Sequence, residues 1–206
     1  MTLYTDRVGN MQTASVQMAA DLAKAHIKTQ IVNETTKKDL VKKAKIPGNV
    51  FPYFQLDEKT VLTDSTAIAK YLIRSSSAAA TLLGATPFAE AQIEQFVVMA
   101  SSSVLTKVQT IEATVFGTLV SPDSHAVAVK ELKETCKVLN THLAGRKWLV
   151  GSAMTFADLH LFTALVPAFQ LTLDAGFRKA MPELSRWFEK MARMPIVTGR
   201  LGYIKP

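Results

Sequence analysis

Short apolar runs alternate with amphipathic stretches over the first 75 residues, in a pattern that predicts the order β-α-β-α-β-β-α. Helices are expected from Met11 to about Ala25, across a lysine-rich segment that ends at "IPGN", and over 65–75, where Ser65 would cap the helix. Strands are expected in "TLYT", "IKTQIVNE", "FPYFQL" and "TVLTD". The pattern predicts an α/β unit built on a small sheet.

Beyond residue 86 the strand-like alternation stops, and helices alone are predicted. A long helix is expected over 87–116 with Pro87 in its first turn, and another over 124–143. The two halves differ in pattern, so we divide the chain into an N-terminal domain (1–75), a linker rich in small residues (76–86) and a helical domain (87–206).

The segment "MTFADLHLF" carries the strongest local signal of the helical half. Thr155 and Asp158 have the spacing of a capping box, with Asp in place of Glu or Gln. The helix that follows is mostly apolar and should be buried, while Pro167 should kink it or end it early. A capping box on a core helix is structural, so neither capping residue is a catalytic candidate.

Composition narrows the classes of protein to consider. No apolar run approaches the ~18–20 residues that cross a membrane, and the N-terminus lacks the basic and apolar arrangement of a secretory signal. The single cysteine, Cys136, excludes an internal disulfide and fits a reducing compartment, so a cytoplasmic protein is expected. Cys136 lies in an apolar helical stripe, which favours core packing. The scattered histidines indicate no metal site.

The net charge of +7 has one dense patch, formed by Lys37, Lys38, Lys42, Lys43 and Lys45 around Asp39. A solvated helical face is the favoured interpretation, and a site for RNA or an acidic protein surface is the alternative. Aromatic residues do not interleave with these lysines, so base stacking is unsupported and nucleic acid is not an expected partner.

Three segments together resemble the glutathione transferase family: "FPYF", "DSTAIAKYL" and "TFADL". The likeness spans nearly the whole chain, and it implies a thioredoxin-like N-terminal domain followed by an all-helical C-terminal domain. After Pro87 the chain more closely resembles the transferase-like domains of the gamma subunits of eukaryotic translation elongation factor 1. The most specific element is the pattern "FRxxxPxxxRWF", which comprises Phe177, Arg178, Pro182, Arg186, Trp187 and Phe188. Trp187 and Phe188 share a helical face with other apolar residues, so we expect both in the core.

The transferase resemblance also implies a glutathione site. In that family a cis proline precedes the third strand and the residue before it offers its backbone to glutathione; Pro52 and Phe51 match these positions. An acidic residue and a serine that hold the γ-glutamyl end match Asp64 and Ser65. The start of a helix favours a bound carboxylate, in agreement with this role.

The opening turn, between the first strand and the first helix, lacks the hydroxyl that many transferases place there. Counting from Tyr4 puts Gly9 at that position, followed by Asn10, and neither supplies a hydroxyl or a thiol. Tyr4 and Thr5 are the alternative hydroxyls, although Tyr4 is expected to pack against the core. We therefore assign no catalytic residue and regard these four as weak candidates.

Three functions remain open on this resemblance. The first is a scaffold that docks the exchange-complex subunits of elongation factor 1, with at most weak binding or conjugation of glutathione or a related thiol and no required cofactor. The second is an active thiol transferase, and the third is a docking module of an aminoacyl-tRNA synthetase complex. Related transferases dimerise, so a homodimer is one expected arrangement. The "FRxxxPxxxRWF" pattern favours the scaffold.

Overall fold

A four-stranded sheet lies at the centre of the N-terminal half. Its strands are β1 (Thr2–Thr5), β2 (Lys28–Ile31), β3 (Tyr53–Gln55) and β4 (Val61–Thr63), in the spatial order β2-β1-β3-β4. β2 runs parallel to β1, while β3 is antiparallel to both β1 and β4. The computed structural model describes residues 1–44 and 51–204, and the chain divides into two units, Met1–Leu83 and Gly84–Pro206.

The described residues of the first unit also form the helices α1 (Met11–Leu22), α2 (Glu34–Ala44), α3 (Ser65–Arg74) and α4 (Ala79–Leu83). α1 packs against α3. The predicted order of strands and helices over residues 1–75 is confirmed. The end of the lysine-rich helix at "IPGN" and the position of Lys45 lie outside the described residues.

Local backbone chemistry shifts two of the predicted boundaries in this unit. α1 ends at Leu22 rather than near Ala25, because Lys24 adopts a left-handed conformation with φ 55° that stops the helix. The second strand is shorter than expected, because Asn33 accepts the Thr36 N–H at 2.8 Å and α2 begins directly after it.

Part of the segment expected to be a linker, residues 76–86, is helical. α4 lies within it and packs against α3, and its Leu82 and Leu83 are both buried. Burial of this leucine pair explains why a segment rich in small residues holds a helix at all.

The described residues of the second unit form helices and connecting loops, without a strand. It contains α5 (Pro87–Met99), α6 (Thr106–Val115), α7 (Pro122–His142), α8 (Phe156–Leu171), α9 (Ala175–Ala180), α10 (Pro182–Ala192) and α11 (Pro195–Leu201). A π-helical segment, Ala100–Leu105, joins α5 to α6, so the long helix predicted over 87–116 is confirmed with a local change of winding. α7 begins two residues before the predicted start, since Ser121 caps it and Pro122 occupies its first turn.

α8 is the central helix of this unit, and 14 of its 16 residues are buried. The expectation that Pro167 kinks this helix or ends it early is wrong as to the early end, because α8 continues to Leu171. Burial on all sides outweighs the one backbone hydrogen bond that a proline removes.

Cys136 lies on the buried face of α7 with Leu132 and Leu139, as predicted. Burial raises the pKa of its thiol to about 12, so the unreactive thiol form persists at neutral pH. No helix in residues 1–44 and 51–204 has the length and apolarity that crossing a membrane requires.

Candidate ligand site at one edge of the sheet

Strand register brings the predicted site residues to a single edge of the sheet. Tyr4 of β1 lies opposite Tyr53 of β3, and Tyr53 in turn lies opposite Thr63 of β4. Pro52 directly precedes β3 and Asp64 directly follows β4. The cis-proline turn, the acidic residue with its serine, and the opening turn after β1 therefore lie side by side.

Two helices begin at this edge, because α1 follows β1 and α3 follows β4. β1 and β4 run in the same direction, since each is antiparallel to β3. The first N–H groups of a helix lack partners inside it, and the helix dipole places positive potential there. Both features favour a negatively charged group at this edge.

The peptide bond between Phe51 and Pro52 is cis. The Phe51 side chain is buried in a core cluster with Leu40, Tyr53 and Val61, and its ring meets the Tyr53 ring edge-on at 5.1 Å between centroids. Phe51 can therefore offer a ligand its backbone but not its side chain. A backbone contact is the role that the transferase resemblance implies for this residue.

Asp64, and not Ser65, caps α3. The Asp64 Oδ1 accepts the Ala67 N–H at 2.9 Å, and Asp64 adopts φ 71°, outside the helix. Ser65 is the first helical residue and is buried. The expected capping role of Ser65 is wrong, because the aspartate one position earlier reaches the same backbone groups. The Ser65 hydroxyl is thus not needed to hold the helix start.

The side chains of the opening turn are engaged in hydrogen bonds within the unit. Asn10 caps α1: its Oδ1 accepts the Thr13 N–H at 2.9 Å, and its Nδ2 donates to the Asp6 carboxylate at 2.8 Å. The Thr5 hydroxyl donates to the Arg7 carbonyl at 3.1 Å and accepts from the Thr13 hydroxyl at 2.9 Å. Thr5 and Asn10 are also buried, so neither offers a ligand an unoccupied polar group.

The two remaining candidates of this turn contribute no reactive group either. Tyr4 packs against the Phe51 cluster, as predicted, and its hydroxyl donates to the Gln55 Oε1 at 3.2 Å. Gly9 adopts φ 75°, a left-handed conformation that favours glycine. Backbone N–H groups at the start of α1 are what this turn can offer a thiolate.

Thr13 and Asp6 also belong to this network, although the sequence pattern alone did not indicate them. Thr13 stands three residues after Asn10, which is the spacing of a helix cap and the backbone group that it binds. That spacing could have identified Asn10 as a structural residue before the fold was known.

The "FRxxxPxxxRWF" pattern forms internal contacts of the second unit. Trp187 and Phe188 are fully buried, as predicted, and the Phe188 ring stacks on the Phe169 ring at 3.7 Å. Arg178 donates to the Phe169 carbonyl at 3.2 Å, and Arg186 donates to the Arg146 carbonyl at 2.9 Å. The pattern therefore holds α8 and the segment after α7 against α10.

Comparisons with known proteins agree with this architecture. Family models match two parts of the chain: the glutathione S-transferase N-terminal domain over residues 11–79 and the glutathione S-transferase C-terminal domain over residues 110–195. The elongation factor 1-gamma of Rattus norvegicus is 33% identical over 165 residues, which cover 78% of this chain and 36% of that protein. This chain thus spans about a third of the length of that relative.

Two further likenesses bear on the fold and on the family. A glutathione S-transferase-like protein of Fusarium, LUC7, is 32% identical over 149 residues, which cover 71% of this chain and 67% of that protein. The solved structure of the transferase-like domain of elongation factor 1-gamma from Saccharomyces cerevisiae superposes with a TM-score of 0.82 at 20% identity, covering 99% of this chain and 94% of the other. The fold, the two matched domains and these relatives show that the chain belongs to the glutathione S-transferase family.

Proposed function

We propose that this chain acts as a scaffold, in the manner expected of a transferase-like domain of an elongation factor 1-gamma protein. It would dock the nucleotide-exchange subunits of that complex in the cytoplasm, during protein synthesis. The mechanism is protein recognition and requires no bond chemistry and no cofactor.

Similarity to elongation factor 1-gamma supports this proposal, and one structural observation carries it. The side chains of Thr5 and Asn10, at the turn where a transferase activates its thiol, are engaged in hydrogen bonds within the protein. A transferase accelerates conjugation by stabilising the thiolate, commonly with a hydroxyl donor. An opening turn without an available hydroxyl favours a domain that is retained for recognition.

Residual thiol binding is compatible with the scaffold role. The backbone of Phe51 beside the cis Pro52 would hold the cysteinyl part of glutathione, while Asp64, Ser65 and the start of α3 would hold the γ-glutamyl end. We expect this site to bind glutathione or a related thiol weakly and to conjugate it slowly.

A pull-down tests the scaffold. Tagged chain is mixed with purified exchange subunits of elongation factor 1 from the same organism, and correct folding is checked by circular dichroism. Retention of the subunits at micromolar concentration is the expected result. Failure to retain them with a folded domain would contradict the proposal.

An active thiol transferase is the second candidate, and the similarity to the Fusarium transferase-like protein favours it, because the match covers two thirds of that protein. Glutathione conjugation to a model electrophile, followed by absorbance, distinguishes the two candidates. A turnover rate similar to that of a dedicated transferase, abolished by Ser65→Ala, would support the enzyme.

A further inference from the structure

Five cationic residues lie on or next to α10 and on the segment that follows α7, and hydrogen bonds join these two parts of the chain. They form the surface that we name the α10 cation surface: Arg146, Lys147, Arg186, Lys190 and Arg193. It is distinct from the lysine-rich helix α2, which belongs to the first unit. It is also distinct from the proposed glutathione site.

Hydrogen bonds fix the two parts of this surface against each other. Arg186 donates to the Arg146 carbonyl at 2.9 Å, and the Lys190 ammonium lies 3.5 Å from the Lys147 carbonyl oxygen. Arg186, Lys190 and Arg193 follow the spacing of one helical face. These three residues line a surface cavity of about 470 Å³ together with Glu189, Met194 and Pro195.

Positive charge on this surface is only partly balanced. Glu183 pairs with Arg186, and Glu189 pairs with Arg193 at 3.5 Å. Within residues 1–44 and 51–204, no carboxylate oxygen lies within 4.0 Å of a charged nitrogen of Arg146, Lys147 or Lys190. Burial lowers the pKa of Lys190, and the neighbouring charges of Lys147 and Arg186 lower it further, while the charge of Asp158 acts in the opposite direction. An anionic partner would relieve this repulsion.

We propose that the α10 cation surface binds an acidic, partly apolar segment of a partner protein. Carboxylates of that segment would pair with Lys147, Lys190 and the neighbouring arginines, and an apolar side chain would contact Met194 and Pro195 in the cavity. The inference does not require the partner to be an exchange subunit, so it can hold if the scaffold proposal fails.

Two observations favour an acidic protein over a nucleic acid. Trp148, the aromatic residue beside these cations, is covered by the Lys190 ammonium at 3.4 Å from its ring centroid, so that face is closed to a stacking base. Glu183 and Glu189 also alternate with the cations along α10, and this alternation fits a segment with separated carboxylates better than the continuous charge of a phosphate backbone.

The two tryptophans of the chain provide a direct readout, because Trp148 adjoins the surface and Trp187 is fully buried. Uniformly ¹⁵N-labelled chain is titrated with a synthetic helical peptide. The peptide carries glutamates at the spacing i, i+4 and i+7, and leucines at the same spacing on the neighbouring face. The two indole N–H cross-peaks are assigned with Trp148→Phe. We expect the Trp148 cross-peak to shift while the Trp187 cross-peak stays in place.

Matched variants and probes complete the test. Lys147→Glu/Arg193→Glu should weaken peptide binding about tenfold, while Lys38→Glu/Lys42→Glu on α2 should change it less than about twofold. A peptide with glutamine in place of glutamate should bind far more weakly. Any of three results would overturn the proposal. They are an unshifted Trp148 cross-peak, an equal loss of peptide affinity in both double variants, and tighter binding of a single-stranded RNA of similar length than of the peptide.

Discussion

The indole N–H of Trp187 donates to the Oδ1 of Asp158 at 3.0 Å, with both residues fully buried. The same oxygen accepts the Leu149 N–H at 3.0 Å. The Oδ2 of Asp158 accepts the Thr155 N–H at 2.9 Å and the Thr155 hydroxyl at 3.1 Å. One carboxylate thus joins the start of α8, the segment before it and α10.

Truncation of Trp187 should destabilise the chain strongly. Trp187→Ala removes a large buried side chain and the indole donor to Asp158, so we expect a loss of about 3–5 kcal/mol in the free energy of unfolding. Urea denaturation followed by circular dichroism measures it. Val138→Ala, at an exposed site on α7, is the control and should change stability by less than about 0.5 kcal/mol. Losses of equal size in both variants would show that Trp187 is not a core residue.

Asp158 should make a distinctive contribution to the pH dependence of stability. Burial raises its pKa above the ordinary value of 3.8, although hydrogen bonds from Leu149, Thr155 and Trp187 act in the opposite direction. The folded chain therefore binds this proton more tightly than the unfolded chain does. The resulting stabilisation is complete below the ordinary pKa and is lost as the pH rises through the folded pKa.

Asp158→Asn removes this titration and leaves at least one buried donor without an acceptor, at about 1–3 kcal/mol. Denaturant unfolding of both proteins at several values between pH 3.5 and pH 7 tests this. The stability advantage of the wild type over the variant should shrink as the pH rises. An advantage that grows with pH would mean that the hydrogen bonds dominate the carboxylate's pKa.

Asn10 should matter for stability and not for thiol chemistry. Asn10→Ala removes the cap of α1, which should cost about 1 kcal/mol in thermal unfolding. Asn10→Ser keeps an oxygen that can cap the helix and should lose less. Any slow glutathione conjugation should be unchanged in both, since the amide of Asn10 is already bonded to Asp6 and Thr13. A large drop in conjugation rate for Asn10→Ala, with stability intact, would make Asn10 a thiolate ligand.

Ser65 and Asp64 allow ligand binding to be separated from helix capping. Ser65→Ala should abolish or greatly weaken the high-micromolar to millimolar glutathione binding expected of the wild type. It should leave stability nearly unchanged, because Asp64 holds the cap. Asp64→Ala should lose both binding and about 1 kcal/mol of stability. Calorimetric titration and thermal unfolding measure the two effects. Absence of glutathione binding by the wild type would show that these residues have a structural role alone.

Much of the fold was accessible from the sequence, because apolar periodicity and capping signals act locally. Residues 1–75 and the helices from Pro87 onward follow the predicted order. The early end expected at Pro167 was wrong because the helix is buried on all sides, a tertiary effect that a local signal does not contain. α4 was missed for a related reason, since Leu82 and Leu83 acquire their role only by packing.

The candidate site was predictable by position but not in its hydrogen bonding. The resemblance identified the residues that strand register brings to one edge of the sheet, which are Phe51, Pro52, Asp64 and Ser65. Sequence alone did not show that Asp64 takes the cap expected of Ser65, or that the amide of Asn10 bonds to Asp6. Which side chain forms each of these hydrogen bonds depends on differences of a few ångströms in side-chain position, which the sequence does not specify.

The most direct test of the scaffold account measures recognition and chemistry on the same preparation of folded chain. The dissociation constant for a purified exchange subunit is measured by calorimetry, and kcat/KM for glutathione conjugation by absorbance. The account predicts micromolar or tighter binding of the subunit, with conjugation far below that of a dedicated transferase measured alongside. Undetectable subunit binding together with conjugation at the level of the dedicated transferase would contradict it.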